Sequence, residues 1–137
     1  MISKQAATVR LFEKTYLVLE YDAQEQLLIQ NWKGFASSVQ FREGIEKSID
    51  VFKQHKVTRL LSNTKDSAVV KKEDTDWAAT YAVGKMLQHG LRSMAFIIPT
   101  NAFTQMSVKN FSGLAGGALD QQFFDDVDKA IVWLTAK

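Results

Sequence analysis

Residues 16–32 read Tyr-Leu-Val-Leu-Glu-Tyr-Asp-Ala-Gln-Glu-Gln-Leu-Leu-Ile-Gln-Asn-Trp, and they decide how the fold begins. Two runs rich in aromatic and aliphatic residues, 16–21 and 27–32, lie on either side of a short polar segment. Such a pair of runs is typical of a β-hairpin. The sequence therefore predicts two antiparallel strands here, with a weaker strand before them at residues 8–12.

After the hairpin, predicted helices alternate with predicted strands. Ser37 and Gln40 have the spacing of a capping box, and apolar residues then recur at helical intervals as far as Phe52, which predicts a helix over residues 38–55. The pattern continues with a strand at 57–62, a loop at 63–67, a helix from about 73 to 88, a strand at 94–98, a short helix ending at 108, a strand at 122–124 and a helix at 126–134.

This alternation predicts the fold class. Strand–helix units that follow one another indicate mostly parallel strands joined by right-handed crossovers. We expect a single α/β domain over residues 1–137, with a mixed, mostly parallel sheet of four to five strands, packed helices and an N-terminal antiparallel hairpin.

The composition excludes several classes of protein. Hydrophobic residues make up 46% of the chain and charged residues 23%, as in an average globular domain. The 17 basic and 15 acidic residues are well mixed, so no basic stripe indicates nucleic-acid binding. No apolar stretch approaches the roughly 18 residues needed to cross a membrane. With no cysteine and no apolar signal segment in residues 1–10, we expect a cytoplasmic protein without membrane insertion.

No motif indicates catalysis, a metal or a cofactor. The glycine-rich segment 113–117 follows a predicted helix and lacks the lysine of a phosphate-binding loop, so we interpret it as a connector. The two histidines, His55 and His89, fall at predicted helix ends, where the helix dipole favours them. We therefore predict no catalytic residues, no metal site, no cofactor and no enzymatic activity.

The aromatic residues leave two interpretations open. Trp77 and Tyr81 share one face of the second predicted helix, while Phe103 and Met106 share one face of the third. Packing in the core is the first interpretation. The alternative is an apolar pocket lined by these four residues, since aromatic and methionine side chains commonly line sites for apolar ligands.

Four further motifs point to a family. They are Trp32-Lys33-Gly34, then Phe-Arg-Glu-Gly-Ile-Glu at 41–46, Glu73-Asp74 followed by Trp77, and Gly-Leu-Arg-Ser-Met-Ala-Phe at 90–96 with Pro99 after it. Together with the opening hairpin, they resemble the STAS/SpoIIAA-like family, in particular its stand-alone members from Bacteroidetes-type bacteria. The resemblance covers residues 16–134, nearly the whole chain.

The resemblance implies a superhelix of strand–helix units and a function without catalysis. Some relatives act through protein contacts that a serine phosphate switches, and others are thought to bind nucleotides or apolar ligands. The switch serine lies in Asp-Ser-x-Gly, whereas this chain has Asp66-Ser67-Ala68-Val69, without the glycine. We therefore expect that Ser67, the candidate phosphosite, is not a working switch.

These observations predict a small binding or regulatory domain. Its expected partner is another protein or a second copy of itself, because a strand early in the chain leaves a sheet edge that a copy can pair with. The alternative is a carrier or sensor of an apolar small molecule or lipid.

Overall fold

The structure is a computed structural model that describes residues 8–97, 102–117 and 119–136. The strands are β1 (Val9–Glu13), β2 (Leu17–Asp22), β3 (Leu27–Gly34), β4 (Arg59–Ser67), β5 (Ser93–Ile97) and β6 (Asp120–Phe124). The helices are α1 (Ser38–Gln54), α2 (Lys72–Trp77), the π-helical segment π1 (Ala78–Ala82), α3 (Val83–Gln88), α4 (Ala102–Ala115) and α5 (Val127–Thr135). The segments α2, π1 and α3 follow one another without a break and form one continuous helix.

The strands form one mixed sheet in the order β1-β2-β3-β4-β5-β6. The β1–β2 and β2–β3 pairs are antiparallel, and the three following pairs are parallel. The predicted fold class, α/β with an N-terminal antiparallel hairpin, is confirmed. The sheet has six strands rather than four to five, because the weak run at residues 8–12 forms a full edge strand against β2.

The helices cover the two faces of the sheet unequally. Buried side chains of α1, π1, α3 and α4 share one core with the central strands. Ala130 and Leu134 of α5 pack in a second core on the opposite face, against Leu61, Ala95 and Ile97. Within the described ranges, no helix combines the length and apolar character that crossing a membrane requires.

α1 approaches the sheet most closely at Gly44. A Cβ atom added to Gly44 would lie 2.5 Å from Leu17 Cδ2 and 3.1 Å from Trp32 Cη2, so any larger residue forces these side chains to shift. At the preceding residue of α1, Glu43 accepts a hydrogen bond of 2.7 Å from the Tyr16 hydroxyl. Burial, together with this carboxylate, raises the pKa of Tyr16 to about 12, which keeps the donor protonated. These contacts hold α1 tightly against β2 and β3.

Two predicted boundaries are wrong. Residues 63–67, predicted as a loop, form the second half of β4, where Asn63 pairs with Asn31 and Ser67 pairs with Gly34 of β3. The third predicted helix continues from residue 108 to Ala115 and includes Gly113. It ends beside Gly116, whose φ of 81° is a conformation that glycine adopts readily.

The close approach at Gly44 gives a first prediction. Gly44→Ala lowers the free energy of unfolding by about 1–3 kcal/mol, since the added methyl group overpacks the core. Gly84→Ala is the matched control, because nothing lies within 4 Å of its added Cβ. That variant raises stability by about 0.5–1 kcal/mol through helix propensity. Chemical denaturation measures both, and a stabilising Gly44→Ala contradicts the close packing.

Candidate functional site

An apolar cavity of about 70 Å³ lies between the sheet and the helices on the α1 side. Its floor comes from β3, β4 and β5, and its walls come from α1, the continuous α2–π1–α3 helix and α4. The lining residues are Gln30, Trp32, Phe41, Ile45, Leu60, Ser62, Thr64, Ser67, Val70, Thr75, Ala78, Ala82, Val83, Met86, Met94, Phe96, Val108 and Phe111. Thr64, Ser67 and Val70 are half-buried, so the cavity reaches the surface near the carboxyl ends of the strands.

The π-helical segment provides the space. Ala78 and Ala82 are fully buried and face the cavity with small side chains. Met86, four residues further on, continues the same lining. A π-helical turn is wider than an α-helical turn, and such segments occur often at functional sites. The sheet and the helix layer therefore separate at π1, whereas they are in close contact at Gly44.

The cavity is large enough to hold a molecule. A buried water needs roughly 10–15 Å³, while an apolar cavity of roughly 150 Å³ binds benzene. The cavity volume of about 70 Å³ lies between these two values. Met86 and Met94 form part of its wall, and methionine adapts its shape readily because its side chain is unbranched. The cavity therefore has room for only a few atoms as it stands, and a molecule of the size of benzene fits when these methionines move.

A charged cluster joins α1 to α2 next to the cavity. Asp74 is buried and accepts hydrogen bonds from the Ser38 hydroxyl at 2.5 Å and from Arg42 Nε at 2.9 Å. The Arg42 guanidinium also lies 4.7 Å from the centre of the Trp77 ring. Burial would raise the pKa of Asp74, but these hydrogen bonds and the positive charges of Arg42 and Lys71 outweigh burial, so the pKa is lowered. The cluster fixes the relative position of two walls of the cavity.

Of the residues proposed from the sequence for a pocket, Trp77, Tyr81 and Met106 are not among those that line this cavity. Trp77 is half-buried and stacks on Tyr81, with ring centroids 5.4 Å apart, and 42% of Tyr81 is exposed. Met106 is 68% exposed. The side chain of Phe103 lies outside the part of the chain that the structure describes. The prediction selected the large side chains of the second helix, while the cavity is lined by the small residues next to them.

The sequence does contain a signal for the lining. Ala78, Ala82 and Met86 recur every four residues beside the Trp77–Tyr81 pair.

Ser67 is the last residue of β4 and is half-buried at the edge of the cavity. Its hydroxyl donates a hydrogen bond of 2.9 Å to the Ala68 carbonyl. The next helix begins at Lys72, so Ser67 does not lie at a helix start. That Ser67 is not a phosphorylation switch stays a prediction.

Other chemistry is sparse in the described ranges. They contain no group of three or more histidine, aspartate or glutamate side chains placed to hold a metal ion. His55 and His89 are the C-cap residues of α1 and α3, as their sequence positions predicted.

Comparison of the sequence with protein-family models gives no match, and comparison with curated proteins gives none either.

The cavity gives a second prediction, from two alanines of the same π-helical segment. Ala82→Val fills part of the cavity, so the free energy of unfolding stays the same or rises by about 1 kcal/mol. Ala79→Val is the matched control, because Ala79 is equally buried but does not line the cavity. Overpacking there lowers stability by about 1–3 kcal/mol. Urea denaturation compares the two, and equal losses of stability would show that Ala82 faces no free space.

The Asp74 cluster gives a third prediction. Because the folded carboxyl has the lower pKa, ionised Asp74 stabilises the fold above the ordinary aspartate pKa of about 3.9, and this contribution is lost as the pH falls below that value. Asp74→Asn therefore lowers the free energy of unfolding at about pH 7 by about 1–3 kcal/mol. The difference from wild type narrows at about pH 3.

Asp125→Asn is the control for this experiment, since the Asp125 carboxylate is largely exposed in its pair with Lys129. It changes stability little at either pH. A difference between Asp74→Asn and wild type that stays constant from neutral to acid pH rules out the charged role of Asp74.

Proposed function

We propose that this protein is a non-enzymatic binding domain that holds a small, mainly apolar molecule in the cavity between its sheet and its helices, as a carrier or a sensor. The observation that carries the proposal is the set of small and adaptable side chains, Ala78, Ala82, Met86 and Met94, around an interior space. An enclosed cavity of about 70 Å³ would cost roughly 2 kcal/mol at about 24 cal/mol per Å³, and since this cavity reaches the surface that figure is an upper bound. A bound apolar molecule offsets that cost.

Binding suits this cavity better than catalysis does. Its lining residues are apolar, hydroxyl or amide in character, and none of them is ionisable near neutral pH. General acid–base catalysis needs a titratable group within reach of the substrate. The groups with clearly shifted pKa values include Tyr16 and Asp74, which form hydrogen bonds to other elements outside the lining.

A second candidate function is contact with a protein partner. Phe35 and Val39 are 72% and 79% exposed, and Val69 is also exposed. The Ala68 N–H donates to the Gly34 carbonyl, so the chain segments that carry Phe35 and Val69 run side by side at the edge where the cavity opens. A partner at this edge would respond to the contents of the cavity.

The family and location belong to the same proposal. The one-directional order of strand–helix units supports membership of the STAS/SpoIIAA-like family, and the lack of cysteine supports a cytoplasmic location.

A homodimer is the simplest form of the partner contact. Sedimentation velocity of wild type and of the Phe35→Ser, Val39→Ser double variant tests it, and self-association that the double variant loses supports a dimer through this edge.

The fourth prediction tests binding in the cavity. Benzene added to protein with isotope-labelled methionine methyl groups shifts the NMR signals of Met86 and Met94, because an aromatic ring beside them changes their magnetic environment. The exposed Met106 is an internal control and does not shift. The matched Ala82→Val variant weakens the effect by reducing the space.

Equal small shifts of all methionine signals would indicate nonspecific contact and would remove the proposal. So would shifts that Ala82→Val leaves unchanged.

A further inference from the structure

Ser62 is one of the polar residues of the cavity floor. It is 5% exposed and lies in β4, directly beside Gln30 of β3 and Phe96 of β5. Its side chain lines the cavity, and no hydrogen bond joins its hydroxyl to another residue in the described ranges. A largely buried hydroxyl without a protein partner is unfavourable, so a ligand group that accepts its hydrogen bond binds more tightly.

The other hydroxyl groups of the lining differ from Ser62. Thr64 donates to the Ile97 carbonyl, Ser67 to the Ala68 carbonyl and Thr75 to the Lys72 carbonyl, each at 2.9 Å. A hydroxyl has one hydrogen to donate. These three hydrogens are therefore already engaged by the protein backbone, whereas the hydrogen of Ser62 remains free for a ligand.

The neighbouring Gln30 supplies a second donor. The Ser48 hydroxyl donates to the Gly44 carbonyl, so it accepts from Gln30 Nε2, at 2.9 Å. The indole N–H of Trp32 can only donate, and it lies 3.4 Å from Gln30 Oε1. These partners fix the orientation of the amide. One N–H of the Gln30 amide remains after the bond to Ser48, and Gln30 lies opposite Ser62 in the register of β3 and β4.

We propose that the ligand is an uncharged, mainly apolar molecule with one hydrogen-bond-accepting oxygen, such as a ketone, an aldehyde or an ester, held by the Ser62 hydroxyl and the Gln30 amide. The inference rests on the proposed function, because it concerns the same cavity. The Ser62 hydroxyl and the Gln30 N–H both donate, so they favour a ligand that carries a hydrogen-bond-accepting atom. The lining contains no charged side chain that could pair with a carboxylate or an amine, and an unpaired buried charge is strongly unfavourable.

Two probes of the same shape test this inference. Cyclopentanone and methylenecyclopentane differ in a C=O group against a C=CH2 group, so only the first can accept a hydrogen bond. The dissociation constants of both are measured from the methyl signals of Met86 and Met94, for wild type, Ser62→Ala and Thr64→Val. We expect Ser62→Ala to weaken cyclopentanone binding about tenfold and to leave methylenecyclopentane nearly unchanged.

Thr64→Val is the matched control, because it removes a lining hydroxyl whose hydrogen is already bound to the backbone. It leaves the ratio of the two dissociation constants unchanged. Ser62→Cys keeps the size of the side chain and substitutes a weak donor, so it shifts the ratio in the same direction as Ser62→Ala. This variant keeps the test decisive if Ser62→Ala folds poorly.

The possible failures are distinguishable. If both probes bind and neither Ser62 variant changes their ratio, the inference is overturned and the proposed function stands. This is also the result expected if Ser62 and Gln30 merely hold a water molecule. If neither probe binds to wild type, the proposed function itself is overturned.

Discussion

The growth of the sheet in one direction, from β3 through β4 and β5 to β6, constrains the position of every other element. Parallel strands are joined by right-handed crossovers, so connections that all advance the same way place their helices on one face. α1, the continuous α2–π1–α3 helix and α4 share a core for this reason. Open α/β sheets commonly bind ligands in the crevice where the strand order reverses. This sheet has no reversal, so an interior site has to form beneath the helix layer.

The helix layer is tight at one place and loose at another. At Gly44 the backbone of α1 comes so close to Leu17 and Trp32 that a methyl group would collide with them. At π1 the alanines leave a gap above Ser62 and Phe96. Protein interiors are usually packed without such gaps. The cavity is therefore a cost in stability, and under the proposed function a bound ligand offsets it.

Most of the fold follows from local patterns in the sequence. The spacing of apolar residues, alternating in strands and every three to four residues in helices, located the hairpin and the parallel strand–helix units. The capping box at Ser37 and Gln40 is present as predicted. The polar second half of β4 was missed because its strand character comes from pairing with β3. Asn63, for example, donates to the Asn31 side chain across the strands. The end of α4 was predicted too early because Gly113 was interpreted as part of a connector after the helix, whereas α4 continues through it to Ala115.

The lining of the cavity was harder to predict. An α-helical period assigns Trp77 and Tyr81 to the buried face, but a π-helical turn changes the phase of the helix and turns Ala78 and Ala82 toward the sheet. The sequence does not distinguish Ser62 from any other serine in a strand. Whether its hydroxyl has a hydrogen-bond partner depends on neighbours that come together only in the folded protein.

A crystal structure of the protein under xenon pressure tests the central claim, that the fold keeps an accessible apolar space, most directly. Xenon enters dry apolar cavities without needing any specific chemistry. The account predicts a xenon atom between Ala82, Met94 and Phe96, absent in Ala82→Val crystals treated in the same way. Ordered crystals in which Met86 or Met94 fills the space and no xenon enters would contradict it.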